Sequence, residues 1–234
     1  MNSMQTTKPH IHIDWATYQA AKYACLNWHY SKCLPSSLGK RVAVGAWEND
    51  EFIGVVVFGH GANPNIGSPY GLTIIECVEL TRIALKPKHK TEVSKIMAIA
   101  LKFLRKSQSG IKLVVSYADQ AQGHHGGIYQ AGNWIYVGSM KGVPSLFYKG
   151  KVWHAKALRT SFPMLKHSDP SIKKIPSGDK HKYLMPFDND IRVKIIQLAL
   201  PYPKRIKEQA LEDHSNLEGA TPINTLQTFG VIKG

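Results

Sequence analysis

Residues 112–138, KLVVSYADQAQGHHGGIYQAGNWIYVG, open on an apolar run whose length predicts a short buried strand over Lys112–Tyr117. Glycines 123, 126 and 127 then punctuate a loop and a short helix, and a second strand runs through Trp134–Gly138. In open α/β sheets ligands gather beyond strand C-termini, so Asp119 stands where a substrate would meet it. Capping the next helix is the competing use of that acid. Tyr129 follows ten residues later; it is either a proton donor facing the same crevice or a core aromatic.

On the N-terminal side, Asp14–Trp28 predicts a helix with Asp14 as its cap and Trp15, Tyr18, Tyr23 and Leu26 at near-helical spacing. Val42–Glu48 and Phe52–Phe58, parted by Asn49-Asp50-Glu51, predict an antiparallel hairpin. GHGANPNIGSPYG reads as loop, Thr73–Leu85 as one long strand, and Glu92–Lys106 as a helix with Ile96, Ile99, Ala100 and Phe103 on one face. On the C-terminal side, strands are expected near Leu146–Tyr148 and Tyr183–Phe187, and a short helix at Ile191–Leu198. This order suits a mixed α/β sheet covered by helices. Six prolines from Pro163 to Pro203 weaken the pattern, so the expected division is a core at 1–157, a basic extension packed on it at 158–207, and a flexible tail at 208–234.

The chain has 234 residues, and 30 Lys and Arg stand against 16 Asp and Glu, a net +14. That excess predicts a polyanionic partner, most simply nucleic acid. Residues 141–207 alone carry 15 basic and 4 acidic side chains. Cysteines 25, 33 and 77 lack zinc-site spacing and read as free thiols in a reducing compartment. The N-terminus has no apolar signal core and no run approaches the roughly 20 apolar residues that span a bilayer, so a cytoplasmic protein without membrane contact is expected.

Two more clusters carry chemistry. Trp28-His29-Tyr30-Ser31 ends the first helix and supplies a base or metal ligand, or else an aromatic cap. In Glu79-Leu80-Thr81-Arg82, strand alternation would send Glu79 and Thr81 to one face and Leu80 and Arg82 to the other; a structural salt bridge is the plainer reading.

WHYSKCLP (28–35), GAWENDEFIGVVVFGHGANPNIG (45–67), VELTRIAL (78–85), VVSYAD (114–119) and HHGGIYQAGNWIYVG (124–138) occur in one order that resembles the Mom DNA-modification family of Mu-like phages, relatives of the GNAT acyltransferases. The resemblance covers roughly residues 15–207 and implies a GNAT-like mixed, mostly antiparallel central sheet flanked by helices, with a basic C-terminal extension. It also implies transfer of a carbamoylmethyl group to N6 of adenine in double-stranded DNA, with the base flipped out, as protection from host restriction enzymes. In that reading Asp119 is the base with His29 as competitor, Tyr129 serves the leaving group or oxyanion, and Tyr30 and Arg82 orient the reactants. Ser116, Tyr117, Glu79, Trp28, Lys88 and Lys90 would contact substrate. If iron takes part, His29 and Asp119 would hold it.

Ordinary GNAT enzymes hold a pyrophosphate on a Gly-rich turn before the central helix, whereas residues 86–94 here, KPKHKTEVS, have three lysines and no glycine. An acetyl group also lacks the nitrogen of the carbamoylmethyl product. The donor is therefore acetyl-CoA with a further metal or redox step, or a glycyl donor such as glycyl-tRNA, which would make tRNA a second partner. Two other classes remain open: a non-catalytic basic DNA-binding module, and an acetyltransferase acting on a protein or small amine. A modified deoxyadenosine distinguishes the first, and tight CoA binding without salt-sensitive DNA affinity the second.

Overall fold

The computed structural model describes residues 9–35, 42–61, 63–153, 155–166 and 168–204. Strands β2 (Val42–Glu48) and β3 (Glu51–Gly59) form the expected hairpin, turned by Asn49 and Asp50 with φ of 50° and 67°, the left-handed pair that a two-residue hairpin requires. The helix expected from Asp14 starts later. Ile11–Trp15 is an edge strand, β1, paired with β2, and its alternation turns Ile11 and Ile13 toward the core. Helix α1 (Tyr18–Trp28) is capped instead by Thr17, whose hydroxyl accepts from the Ala20 amide at 3.1 Å. The buried face of α1 is Ala21, Ala24 and Cys25, set against Val55 and Val57 of β3. Small residues let this helix lie close on the sheet, and the aromatics that suggested its apolar face, Tyr18 and Tyr23, point to solvent.

Strand β4 (Cys77–Leu85) is shorter than expected, because the Glu76 carboxylate accepts from the Thr73 amide and hydroxyl and holds residues 73–76 in a turn. Helix α2 (Val93–Ser107) buries Ile96, Met97, Ala100, Leu101 and Leu104, a 3.6-residue stripe, against one sheet face; of the expected face Ile96 and Ala100 are buried, while Ile99 and Phe103 stay half-buried. Strand β5 (Leu113–Asp119), helix α3 (Gly127–Ala131) and strand β6 (Ile135–Met140) follow. Next come β7 (Ser145–Tyr148), β8 (Lys151–Trp153), helix α4 (Ala155–Ser161), β9 (Lys173–Ile175), β10 (Lys180–Pro186) and α5 (Asn189–Ile196).

The central sheet has the order β1-β2-β3-β4-β5-β10-β6, and only the β4–β5 pair is parallel. It is the mixed, mostly antiparallel sheet flanked by helices that the sequence implies. A second, three-stranded sheet has the order β8-β7-β9. The stretch 158–207, expected as an extension packed on the core, instead supplies a strand of the core. β10 lies between β5 and β6, and Tyr183 and Leu184 on it are fully buried. This is the strand expected near Tyr183–Phe187, begun three residues earlier at Lys180, and Pro186 ends it and needs no ladder N–H there. The expected tail at 208–234 lies outside the described residues.

Candidate active site in the β4–β5 wedge

β4 and β5 pair only over Cys77–Leu80 and Leu113–Ser116. Beyond that β4 stays with β3 as far as Leu85, while β5 stays with β10 as far as Asp119. The two strands part into a wedge with Ser116 at its crotch. The fully buried Ser116 hydroxyl donates to the Leu80 carbonyl at 3.2 Å and lies 2.8 Å from the Tyr129 hydroxyl. Tyr129, on α3, stacks on Tyr183 at 4.9 Å and meets the Trp134 edge at 5.1 Å. Burial pushes its phenol up to about 12, so it holds its proton at neutral pH. Gly126 caps α3 with φ of 87°, and a Cβ there would strike the Tyr183 ring.

Simple alternation fails on β4. Val57 faces Arg82 while Phe58 faces Leu80, so Thr81 is a bulge, its hydroxyl donating to the Val57 carbonyl at 3.0 Å. The extra residue leaves Leu80 in the α2 core, puts Ala84 against α1, and brings Glu79 and Arg82 to the same side. Glu79 is raised to about 7 by burial, with Arg82 and Lys180 opposing the rise. A Cβ on Gly61, at φ of 61°, would collide with the Glu79 carboxylate, so only glycine leaves room for it. Tyr117 is also pushed up, first by burial and then by Glu79.

The end of α1 closes the wedge on this side. Arg82 donates to the Thr81 carbonyl at 2.6 Å, the Cys33 carbonyl at 3.4 Å and the Cys33 thiol at 3.6 Å. His29 is 8% exposed, and its Nδ1 accepts from the Ser31 amide at 3.1 Å, which fixes the neutral Nε2–H tautomer. Burial, then Arg82, His124 and Lys32, lower its pKa to about 4. Tyr30 lies on the His29 ring at 4.3 Å and meets His124 edge-on at 5.8 Å. Burial raises its phenol, and the Asp119 carboxylate adds to the rise. Tyr30 in turn bears on Tyr129, so it joins the Asp119 and Tyr129 sides of the wedge.

Other expected residues are placed differently. The Asp119 carboxylate accepts from the Ala121 amide at 3.0 Å and sits 4.0 Å from Lys180 Nζ, which is the capping role. Trp28 packs on Phe52 and Tyr23 as part of the α1–β3 contact. Lys88 and Lys90 belong to the turn before α2, where an internal group takes two of the amides. Glu48 accepts from Lys90 N at 2.9 Å, Thr91 N at 2.7 Å and the Thr91 hydroxyl at 2.6 Å, and it is 8% exposed. Those two amides are thus satisfied from within the protein, while the first turn of α2, from Val93, carries no side-chain cap. Iron does not fit. Among the described residues no group of three or more His, Cys, Asp and Glu side chains could hold a metal, and His29 Nδ1 is spent on Ser31.

Glu48 and Gly61 were not expected at the site, and Gly126 only as loop punctuation. Gly61 and Gly126 announce themselves only through the side chains beside them. Among the described residues no helix is long and apolar enough to cross a membrane.

Solved structures with a similar course of chain include a Bacillus subtilis acetyltransferase in complex with CoA, 15% identical, TM-score 0.44, over 77% of this chain and 100% of that one. A GNAT acetyltransferase from Elizabethkingia anophelis with acetyl-CoA bound is 14% identical, TM-score 0.43, over 76% and 98%. A spermidine N-acetyltransferase variant from Vibrio cholerae is 9% identical, TM-score 0.46, over 75% and 93%. Among curated proteins, "Methylcarbamoylase mom" of Escherichia phage Mu is 29% identical over 131 residues, 54% of this chain and about half, 52%, of the relative's length. The model of the Mom protein family matches residues 10–204, nearly the whole of the described sheet and helices, and the chain belongs to that family.

Proposed function

We propose that this chain is a DNA-modifying transferase that places a carbamoylmethyl group on N6 of a flipped-out adenine, using the β4–β5 wedge as its pocket. The observation that carries the reading is the pairing of two groups with opposite tasks across that wedge: Glu79, poised near 7 to take a proton, and Tyr129, which keeps one to give. The adenine amino nitrogen is a weak nucleophile because its lone pair is delocalised, so it must lose a proton as it attacks. Glu79 is better suited to this than Asp119, whose carboxylate is committed to the Ala121 amide. Arg82, on the same side, orients the carbonyl or stabilises its developing oxygen charge, and Tyr30 over His29 offers an aromatic face for the base. Flipping costs a few kcal/mol, which contacts to the DNA backbone return.

Glu48 holds two of the amides before α2, and an acetyl group lacks the nitrogen of the product; both favour a glycyl ester such as glycyl-tRNA over acetyl-CoA. N6 attacks the glycyl carbonyl, loses its proton to Glu79, and the ester oxygen leaves with a proton from Tyr129. The resulting N6-glycyl adenine and the carbamoylmethyl product are isomers. Attack of the glycyl amine on C6, followed by departure of the original nitrogen as the carboxamide, interconverts them without another reagent.

Nucleoside mass spectrometry of DNA from cells expressing the chain tests the reading. The wild type should yield a new modified deoxyadenosine, Glu79→Gln should lower its yield about a hundredfold or more, and Asp119→Ala should retain more activity than Glu79→Gln. Unmodified DNA with folded wild-type protein would refute the proposal.

A further inference from the structure

We propose that residues 145–175 form the surface on which the backbone of double-stranded DNA rests while the adenine enters the wedge; this depends on the transfer reading above. The first support is position. β6 ends at Met140 and β10 begins at Lys180, and those residues are partners in register, with Asp119 opposite Lys180 on the other side. The excursion between them therefore leaves and rejoins the central sheet at the end where β4 and β5 part. Its base is pinned there. Lys141 pairs with Asp179 at 2.9 Å, the Gly142 amide donates to the same carboxylate at 3.3 Å, and the Gln120 amide donates to the Asp179 carbonyl at 3.0 Å. Gly178 packs so closely that a Cβ on it would lie 2.7 Å from Ala121. Gln120 and Ala121 directly follow Asp119, so the excursion is held against the rim of the candidate pocket.

The second support is charge. Residues 145–175 contain seven Lys and Arg and one acid, Asp169. That acid is turned inward on its own loop, accepting from the Ser171 amide at 2.9 Å. Paired lysines elsewhere include Lys86 with Glu51, Lys112 with Glu76 and Lys180 with Asp119. Lys149, Lys151, Lys173 and Lys174 are exposed and form no salt bridge among the described residues. Two of the four are held in place by rings: Lys149 Nζ lies 5.6 Å from the Tyr148 centroid and 5.3 Å from that of Phe162, and Lys151 Nζ lies 4.6 Å from that of Trp153. Cations already ordered lose less side-chain freedom on binding.

Lys174 on β9 lies opposite Leu146 and Lys151 on β8 opposite Tyr148, so strand alternation puts these two on one face, while Lys173, opposite Phe147, lies on the other. β8 and β9 flank β7, so Lys151 and Lys174 stand on rows roughly 10 Å apart, two strand spacings. These three strands carry no Asn, Gln or Arg, whose planar ends pair with base edges at two points. A surface of lysine and aromatic residues holds phosphates without reading sequence.

The test is binding of fluorescent 25-base-pair duplexes of unrelated sequence to the full chain across a range of salt concentrations. The variant Lys149→Gln, Lys151→Gln, Lys174→Gln should bind all duplexes at least roughly tenfold more weakly, with a log–log salt slope shallower by about 2–3, near 0.9 per lost phosphate contact. The partial variants, at 149/151 and at 174, should lose about two thirds and about one third of that slope and stay folded by circular dichroism. Lys102→Gln with Lys106→Gln, on the exposed side of α2, should bind like wild type. If the triple variant keeps wild-type affinity and slope while the wild type modifies DNA, the surface is refuted and the transfer reading stands. A wild type that binds no duplex refutes both, and a loss confined to tRNA with duplex binding intact refutes the surface.

Discussion

Glu79 shows how a neighbourhood turns one carboxyl into a base. Burial holds its proton to about 7, against an ordinary value near 4.5, while Arg82 and Lys180 keep it from rising further. The active form is the anion, so kcat/KM for DNA modification should rise with pH through about 7 and level off above it, and a rate profile over pH 5–9 checks this. Stability should run the other way. Between pH 4.5 and 7 the unfolded chain releases this proton and the folded chain keeps it, so Glu79 lowers stability as pH rises across that window. Glu79→Gln should remove that slope in thermal melts. The residues of this site were legible in VELTRIAL and SYAD, but their relation was not. Alternation without a bulge puts Glu79 and Arg82 on opposite faces, and only the Val57–Phe58 register shift reunites them. Asp119 was legible as an acid at a strand end, a description its cap and a catalytic base satisfy equally.

The element that departs most from expectation is the start of α2. A helix N-terminus draws an anion, and three lysines nearby read as an invitation to a ligand. Glu48, from the end of β2 and 42 residues before Lys90, takes the Lys90 and Thr91 amides just ahead of that N-terminus, and nothing local in KPKHKTEVS signals that. Burial works to raise the Glu48 pKa, but the Thr91 hydroxyl and the Lys90 and Thr91 amides outweigh it and hold it below the ordinary value. Its contribution to stability is therefore present above about pH 4.5 and is lost as pH falls through its lower folded value. Glu48→Ala strands two amides and a hydroxyl, and should cost about 2–4 kcal/mol at pH 7 at roughly 1 kcal/mol or more for each. Denaturant melts at pH 7 and pH 3 should show that difference shrinking at the lower pH. Titration calorimetry with acetyl-CoA should show no saturable binding to the wild type. By contrast α2 itself was legible, because a 3.6-residue stripe needs no distant partner to be seen.

Across the molecule, the lesson lies in β10. Local pattern shows a strand near Tyr183–Phe187 but neither its insertion between β5 and β6 nor its start, since Lys180-His181-Lys182 looks like more basic surface and prolines crowd around it. Its place is nonetheless central. Seven β5 residues from Leu113 to Asp119 find partners on β10, and β6 joins the sheet only through it. Tyr183 supplies the ring on which Tyr129 stacks, and its hydroxyl donates to the His125 carbonyl at 2.7 Å, which fixes the loop before α3. A chain ending at residue 157 would leave β5 open along the edge facing away from β4 and detach β6, exposing Leu113, Val115 and Trp134, all fully buried in the whole protein. Such a fragment should show no cooperative thermal transition by near-ultraviolet circular dichroism and should aggregate. Adding a separate peptide spanning residues 178–203 during refolding should recover part of the transition, since that segment carries both β10 and α5. A fragment 1–157 that melts cooperatively by itself would mean that the site is complete without the late strand, and that the stacking of Tyr129 on Tyr183 does not hold the phenol in the wedge.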